Sequence, residues 1–116
     1  MKIREMYASI GADYEEVTGR LTDNEAFITK LVRKYAEDGN CERLQKAMQY
    51  KDYEDAFEAA HALKGLSSNL GFSKLYEVSS GLTEKLRAKD YDGVESLSEE
   101  VQAAHDAVVK AIAELE

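Results

Sequence analysis

The chain has no proline, only seven glycines and a single cysteine among its 116 residues. Without proline, nothing forces a break inside a helix. With glycine this sparse, the Gly/Asn turn signals and alternating β-branched runs of a sheet protein are missing. Ala, Leu, Glu and Lys dominate instead, which favours an all-α fold. One cysteine, Cys41, excludes an internal disulfide. A lone thiol fits a reducing cytosol, and its apolar helical position makes it a packing residue. Clustered basic charge is also absent. The formal net charge is −8, which argues against nucleic acid and anionic membrane surfaces, since both require grouped Lys and Arg. No apolar run approaches the roughly 20 residues that cross a bilayer. The basic start Met1-Lys2-Ile3-Arg4 is not followed by the apolar stretch of a secretory signal. A cytoplasmic protein without membrane insertion is expected. The length allows one core, so residues 1–116 are read as one helical domain.

Apolar spacing divides the chain into helices. The first twenty residues predict one or two short helices broken around Gly11 and Gly19, with Ile3, Met6, Tyr7, Ile10, Tyr14 and Val17 as apolar contacts. Thr22 and Glu25 have capping-box spacing. The helix they open carries Phe27, Ile28, Leu31 and Tyr35 and ends near Gly39 as a left-handed cap. Asn40 caps a shorter helix with Cys41, Leu44, Ala47 and Met48 inward. Asp52 opens the next helix, which stops at Gly71. A helix over about 73–88 buries Leu75, Val78, Leu82 and Leu86, and the last, from about Tyr91, carries Val94, Leu97, Val101, Ala104, Val108, Ala111 and Leu115. Short connections favour antiparallel neighbours. The expected architecture is a four-helix up-and-down antiparallel bundle with short additional N-terminal helices.

The helix between Asp52 and Gly71 holds the most informative residues. Its core stripe is Ala56, Ala59, Leu63, Leu66 and Leu70, and His61 lies about 160° round from Leu63 at 100° per residue. His61 therefore faces solvent at mid-helix, with Lys64, Gly65, Ser68, Glu54 and Glu58 on the same side. Glycine inside a helix costs about 0.5–1 kcal/mol relative to alanine. A helix-weakening residue one turn from an exposed histidine makes sense if a large molecule must approach there. Phe57, one turn earlier on the flank, is read as packing under an N-terminal helix and as part of an apolar docking surface. Ser67 is a small packing residue near the core edge. Ser68, further along the histidine face, is a candidate hydrogen-bond donor to a phosphoryl group or partner. His105 lies at the edge of the final helix's apolar stripe and reads as a half-buried structural residue.

His61, Leu63, Lys64, Gly65, Ser67, Gly71 and Leu75, with Leu82 in the next helix, resemble the motif of histidine-containing phosphotransfer (HPt) domains. The helix count and order fit that family across nearly the whole chain. The resemblance implies a phosphorelay intermediate that accepts a phosphoryl group on His61 from a receiver-domain aspartate or sensor kinase. It would pass the group to the receiver aspartate of a response regulator in two-component signalling. Lys64 would stabilise charge, Gly65 would give the receiver access, and Phe57, Glu58, Ser68 and Thr83 would contribute to partner binding. Thr83 stands where the family often has a Glu or Gln facing the histidine ring, so it or Ser79 would offer a hydroxyl instead. Imidazole, with an ordinary pKa of about 6.5, is a nucleophile near neutral pH without a triad base.

There is no Walker loop and no glycine-rich nucleotide loop. The reading is a phosphocarrier rather than a nucleotide-dependent kinase, with no cofactor of its own and with Mg²⁺ in the partner receiver domain. Expected partners are receiver domains of response regulators and hybrid sensor kinases, the protein itself being a monomer. Two other classes remain open at this stage. One is a non-catalytic helical binding module. The other is a di-iron carboxylate bundle built on Glu58 and His61, which have Glu-x-x-His spacing. That bundle requires a second such pair, and His105 is preceded three residues earlier by Gln102.

Overall fold

Helix ends in this proline-free chain are set by caps and left-handed turns, and the computed structural model, which describes residues 1–116, contains seven helices. They are α1 (Ile3–Ser9), α2 (Tyr14–Arg20), α3 (Glu25–Tyr35), α4 (Asn40–Gln49), α5 (Tyr53–Leu70), α6 (Ser73–Arg87) and α7 (Val94–Ala113). None is long and apolar enough to cross a membrane. The protein is all-helical and elongated, about 40 × 24 × 19 Å. α4 packs on α5, α5 on α6, α6 on α7, and α7 returns to α4.

Three turns of this ring close in the same way. Phe72 N–H donates to Ser67 O at 2.9 Å, Asp52 N–H to Ala47 O at 2.8 Å, and Asp90 N–H to Lys85 O at 2.9 Å. Each bond reaches back across a residue with positive φ, namely Gly71 (72°), Lys51 (55°) and Lys89 (56°). This is the Schellman arrangement, which satisfies carbonyls left over at a helix end. Gly71 was expected there, whereas the two lysines carry no sequence signal for it. Gly39 was expected to be left-handed and is not: its φ is −99° and it precedes α4 as the N-cap.

Two further boundaries differ from expectation. Asn24, not Thr22, caps α3 through its carbonyl oxygen, which accepts from Phe27 N–H at 3.1 Å. Asp38, not Asn40, serves the start of α4 by accepting from Asn40 N–H at 2.9 Å. In both places a second capping residue lay within two positions and won. Gly19 lies within α2 and does not end it.

The core is a single cluster running through all seven helices, from Ile3, Met6 and Tyr7 to Val108 and Ile112. An aromatic seam ties the N-terminal helices to the ring. Tyr7 contacts Tyr14 and Phe72, and Tyr35 contacts Phe72 and His105. The Tyr7 hydroxyl also donates to Leu70 O at 2.5 Å. In α3 it is Val32, with Ile28 and Tyr35, that is buried, while Phe27 is exposed. Cys41 is buried as expected, and burial pushes its thiol up to about 11.

Candidate functional site on the outer face of α5

α5 starts at Asp52, whose carboxylate accepts from Asp55 N–H at 3.1 Å, and ends at left-handed Gly71. Ala56, Ala59, Ala60, Leu63, Ser67 and Leu70 are buried, so the helix is held along one side. The other side is open. His61, Gly65, Glu58 and Ser68 are exposed, and Lys64 is partly covered. The outward direction read from periodicity is the one observed.

The two motif glycines have different physical grounds. A β-carbon added at Gly65 would meet no atom within 4 Å. Nothing inside the molecule demands a glycine there. At Gly71, φ is 72° and a β-carbon would collide with Val17 Cγ2 of α2. Gly71 thus lets α2 seat against the end of α5 and has a structural reason of its own.

Around His61 the structure brings together residues from three helices. The Phe57 ring is half-buried, with its centroid 5.7 Å from that of His61. Its cover is not an N-terminal helix, as expected, but Arg87 of α6, whose guanidinium lies 5.0 Å from the ring centroid. α6 flanks α5 on this side, whereas α1 and α2 gather at the Gly71 end. Glu58 accepts from Arg43 Nη2 of α4 at 2.9 Å, and Arg43 Nε also donates to Asp55 at 3.0 Å. Ser68 lies beyond Gly65 in a shallow depression shared with Arg20, Gly71 and Tyr76.

Thr83 is not part of this surface. It is fully buried, and its hydroxyl donates to Ser79 O within α6 at 2.7 Å. Ser79 is buried too, its own hydroxyl unpartnered. The inward side of α6 takes both small residues with Leu75, Val78, Leu82 and Leu86, so neither hydroxyl is available to an exposed ring. The neighbouring Glu84 emerges instead. One of its carboxylate oxygens lies 4.0 Å from Lys64 Nζ, and the other accepts from Arg87 Nε at 2.9 Å. The Arg87 hydrogen bond holds the Glu84 carboxyl below its ordinary range, and charge on Lys64 and His61 acts in the same direction. The sequence signal for Glu84 was its place beside Thr83 and three residues before Arg87, a weak one for an exposed charge pair.

His105 sits elsewhere. It is half-buried on α7, with Nδ1 2.7 Å from the Tyr35 hydroxyl. Burial lowers its pKa, opposed in part by Asp106 and Asp38. Nor does the molecule gather three or more His, Cys, Asp or Glu side chains into a group fit for a metal ion. Glu58 and His61 face solvent, away from the interior where a di-iron centre would be built.

The protein is all-helical and holds one histidine outward at mid-helix, with a lysine and an unfilled glycine beside it. The family model described as "Hpt domain" matches residues 36–111, and the chain belongs to that family. Comparison with curated proteins and with solved structures returned no match. Hpt domains carry out histidine phosphotransfer in phosphorelay signalling and interact with receiver domains, and this is the class of activity of the chain.

Proposed function

We propose that His61 is the phosphoryl acceptor of a relay intermediate that exchanges with receiver-domain aspartates of hybrid sensor kinases and response regulators. The observation that carries this reading is the exposed His61 beside Gly65, a glycine that no internal contact requires. In the transfer, an unprotonated ring nitrogen of His61 attacks phosphorus. The N–P bond forms as the P–O bond of the aspartyl phosphate breaks, the carboxylate leaves as an anion, and the proton on the other ring nitrogen stays in place. Such a reaction is governed by positioning and charge stabilisation. Lys64 supplies the charge and Gly65 the clearance. Phe57 and Glu58 border the docking surface on one side and Ser68 on the other. Any Mg²⁺ belongs to the receiver in this reading.

Residues 1–116 act as one domain in this reading, since α1–α3 share the core of α4–α7. The ring α4–α7 is the up-and-down bundle, and the protein works as a monomer in the cytoplasm. The test is phosphoryl transfer from a panel of phosphorylated receiver domains to wild-type protein and to His61→Gln. Wild type is expected to become labelled and the variant not, with unchanged helicity. Labelling retained in His61→Gln overturns the assignment.

A further inference from the structure

We propose that Glu84 is a fixed counter-charge that raises the energy of phosphorylated His61, so that the protein passes its phosphoryl group on rather than retaining it. The inference rests on His61 being the phosphoryl carrier. Its ground is the position of one carboxylate. Lys64, the cation one turn from His61 on α5, has its Nζ 4.0 Å from Glu84 Oε1, and its side chain is only 27% exposed against 55% for Glu84. Glu84 is in turn held by Arg87, which donates to its other oxygen at 2.9 Å and lies over the ring of Phe57. Phe57 is the ring next to His61. The four side chains form a continuous rim along the α5–α6 seam.

Transfer turns an uncharged imidazole into a group with net negative charge. Two anions, the phosphoryl group and Glu84, then compete for the ammonium of Lys64. Glu84 is anchored by Arg87 and has less freedom to withdraw than an unpaired side chain would. The competition weakens the stabilisation that Lys64 gives to the phosphoryl oxygens, and direct repulsion between like charges adds to it. Both effects are absent before transfer and after the group has left. Glu84 therefore biases the equilibrium between this protein and its partners while leaving the nucleophile intact. Because the groups are exposed, the bias is modest and is screened by salt.

The experiment is a competition. Isotopically labelled wild-type protein and Glu84→Gln are mixed in equal amounts with a catalytic quantity of a phosphorylated receiver domain that charges the wild type. The final distribution of phosphate is read by intact mass and located by fragmentation. At equilibrium the ratio is independent of the receiver. The expected ratio favours Glu84→Gln by about twofold to fivefold at low ionic strength and falls toward one at high salt. Glu84→Asp, which keeps the charge, and Glu100→Gln, which removes a charge from the exposed side of α7, should both stay near one. A ratio of one for Glu84→Gln with phosphate on His61 overturns the counter-charge and leaves the carrier reading standing. A ratio favouring wild type also overturns it, and would instead give Glu84 a supporting contact to the phosphorylated ring. Phosphate on a residue other than His61 overturns both the inference and the reading beneath it.

Discussion

Gly65 and Gly71 belong to one motif and one stretch of chain, yet the surroundings of the two differ in kind. At the Gly71 corner, α2 presses Val17 against the backbone, the turn is left-handed, and the Tyr7 hydroxyl holds the last carbonyl of α5. Around Gly65 the helix is regular and the space beyond it is empty. The first region is over-determined by contacts inside the molecule. The second is not determined by any, and a glycine there weakens the helix with no internal return. The contrast teaches that a motif residue is a candidate for function in proportion to how little the fold itself needs it.

The largest expected effect separates the two regions outright. His61→Gln, on the open face, should abolish phosphoryl acceptance while shifting the melting temperature by no more than a degree or two, a near-zero stability change by ordinary surface behaviour. A large fall in melting temperature would show that the open face is structural after all. Gly71→Ala should do the reverse. The left-handed backbone and the collision with Val17 together are expected to cost about 2–4 kcal/mol. Chemical denaturation measures this, and a variant as stable as wild type would mean that α2 yields freely.

At Gly65 the comparison becomes sharper. Gly65→Ala should leave stability equal or raised by up to about 1 kcal/mol, because alanine is the better helix former and its β-carbon meets nothing. Gly65→Gln should also fold. Both should slow exchange with a receiver, Gln more than Ala, by intruding on the space the partner occupies. A well-folded Gly65→Gln protein that exchanges at the wild-type rate removes the steric account.

The two histidines extend the same contrast to pH. Burial lowers the pKa of His105 in the folded protein, so the folded state binds this proton less readily than the unfolded chain does. Its contribution to stability is present above the unfolded value of about 6.5 and is lost as pH falls below that. Protonation also makes both ring nitrogens donors, including the Nδ1 that lies 2.7 Å from the Tyr35 hydroxyl. As pH falls below about 6.5, wild-type stability should drop more steeply than that of His105→Gln. Identical slopes would show that this histidine is not the group responsible. The smallest effect is expected for Lys64→Ala. Loss of a partly exposed charge should slow transfer or shorten the lifetime of the phosphorylated state a few-fold, without preventing docking. Equal rates for this variant and wild type across ionic strengths would remove its electrostatic role.

By itself the sequence determined the helical class, most of the buried apolar residues of α4–α7 (though not Ala60 or Ile112, nor the buried hydroxyls of Ser79, Thr83 and Ser98), and the outward direction of His61. Each follows from the 3.6-residue period, which is a local property of the chain. The Asp52 cap and the Gly71 turn were legible for the same reason, since both signals lie within a few residues of the helix end. Choices between nearby competitors were not legible: Asn24 over Thr22, Asp38 over Asn40, and lysines rather than glycine in two left-handed turns. Only the tertiary structure decided those, because packing of whole helices sets where each turn must close. It also decided what surrounds His61. Thr83 was expected on the docking face and is buried, while Glu84 and Arg87 stand at the seam in its place. Periodicity gives the angle of a residue on its own helix. It does not give the rotation of that helix against its neighbour, and a shift of one residue, about 100°, exchanges a hidden hydroxyl for an exposed carboxylate.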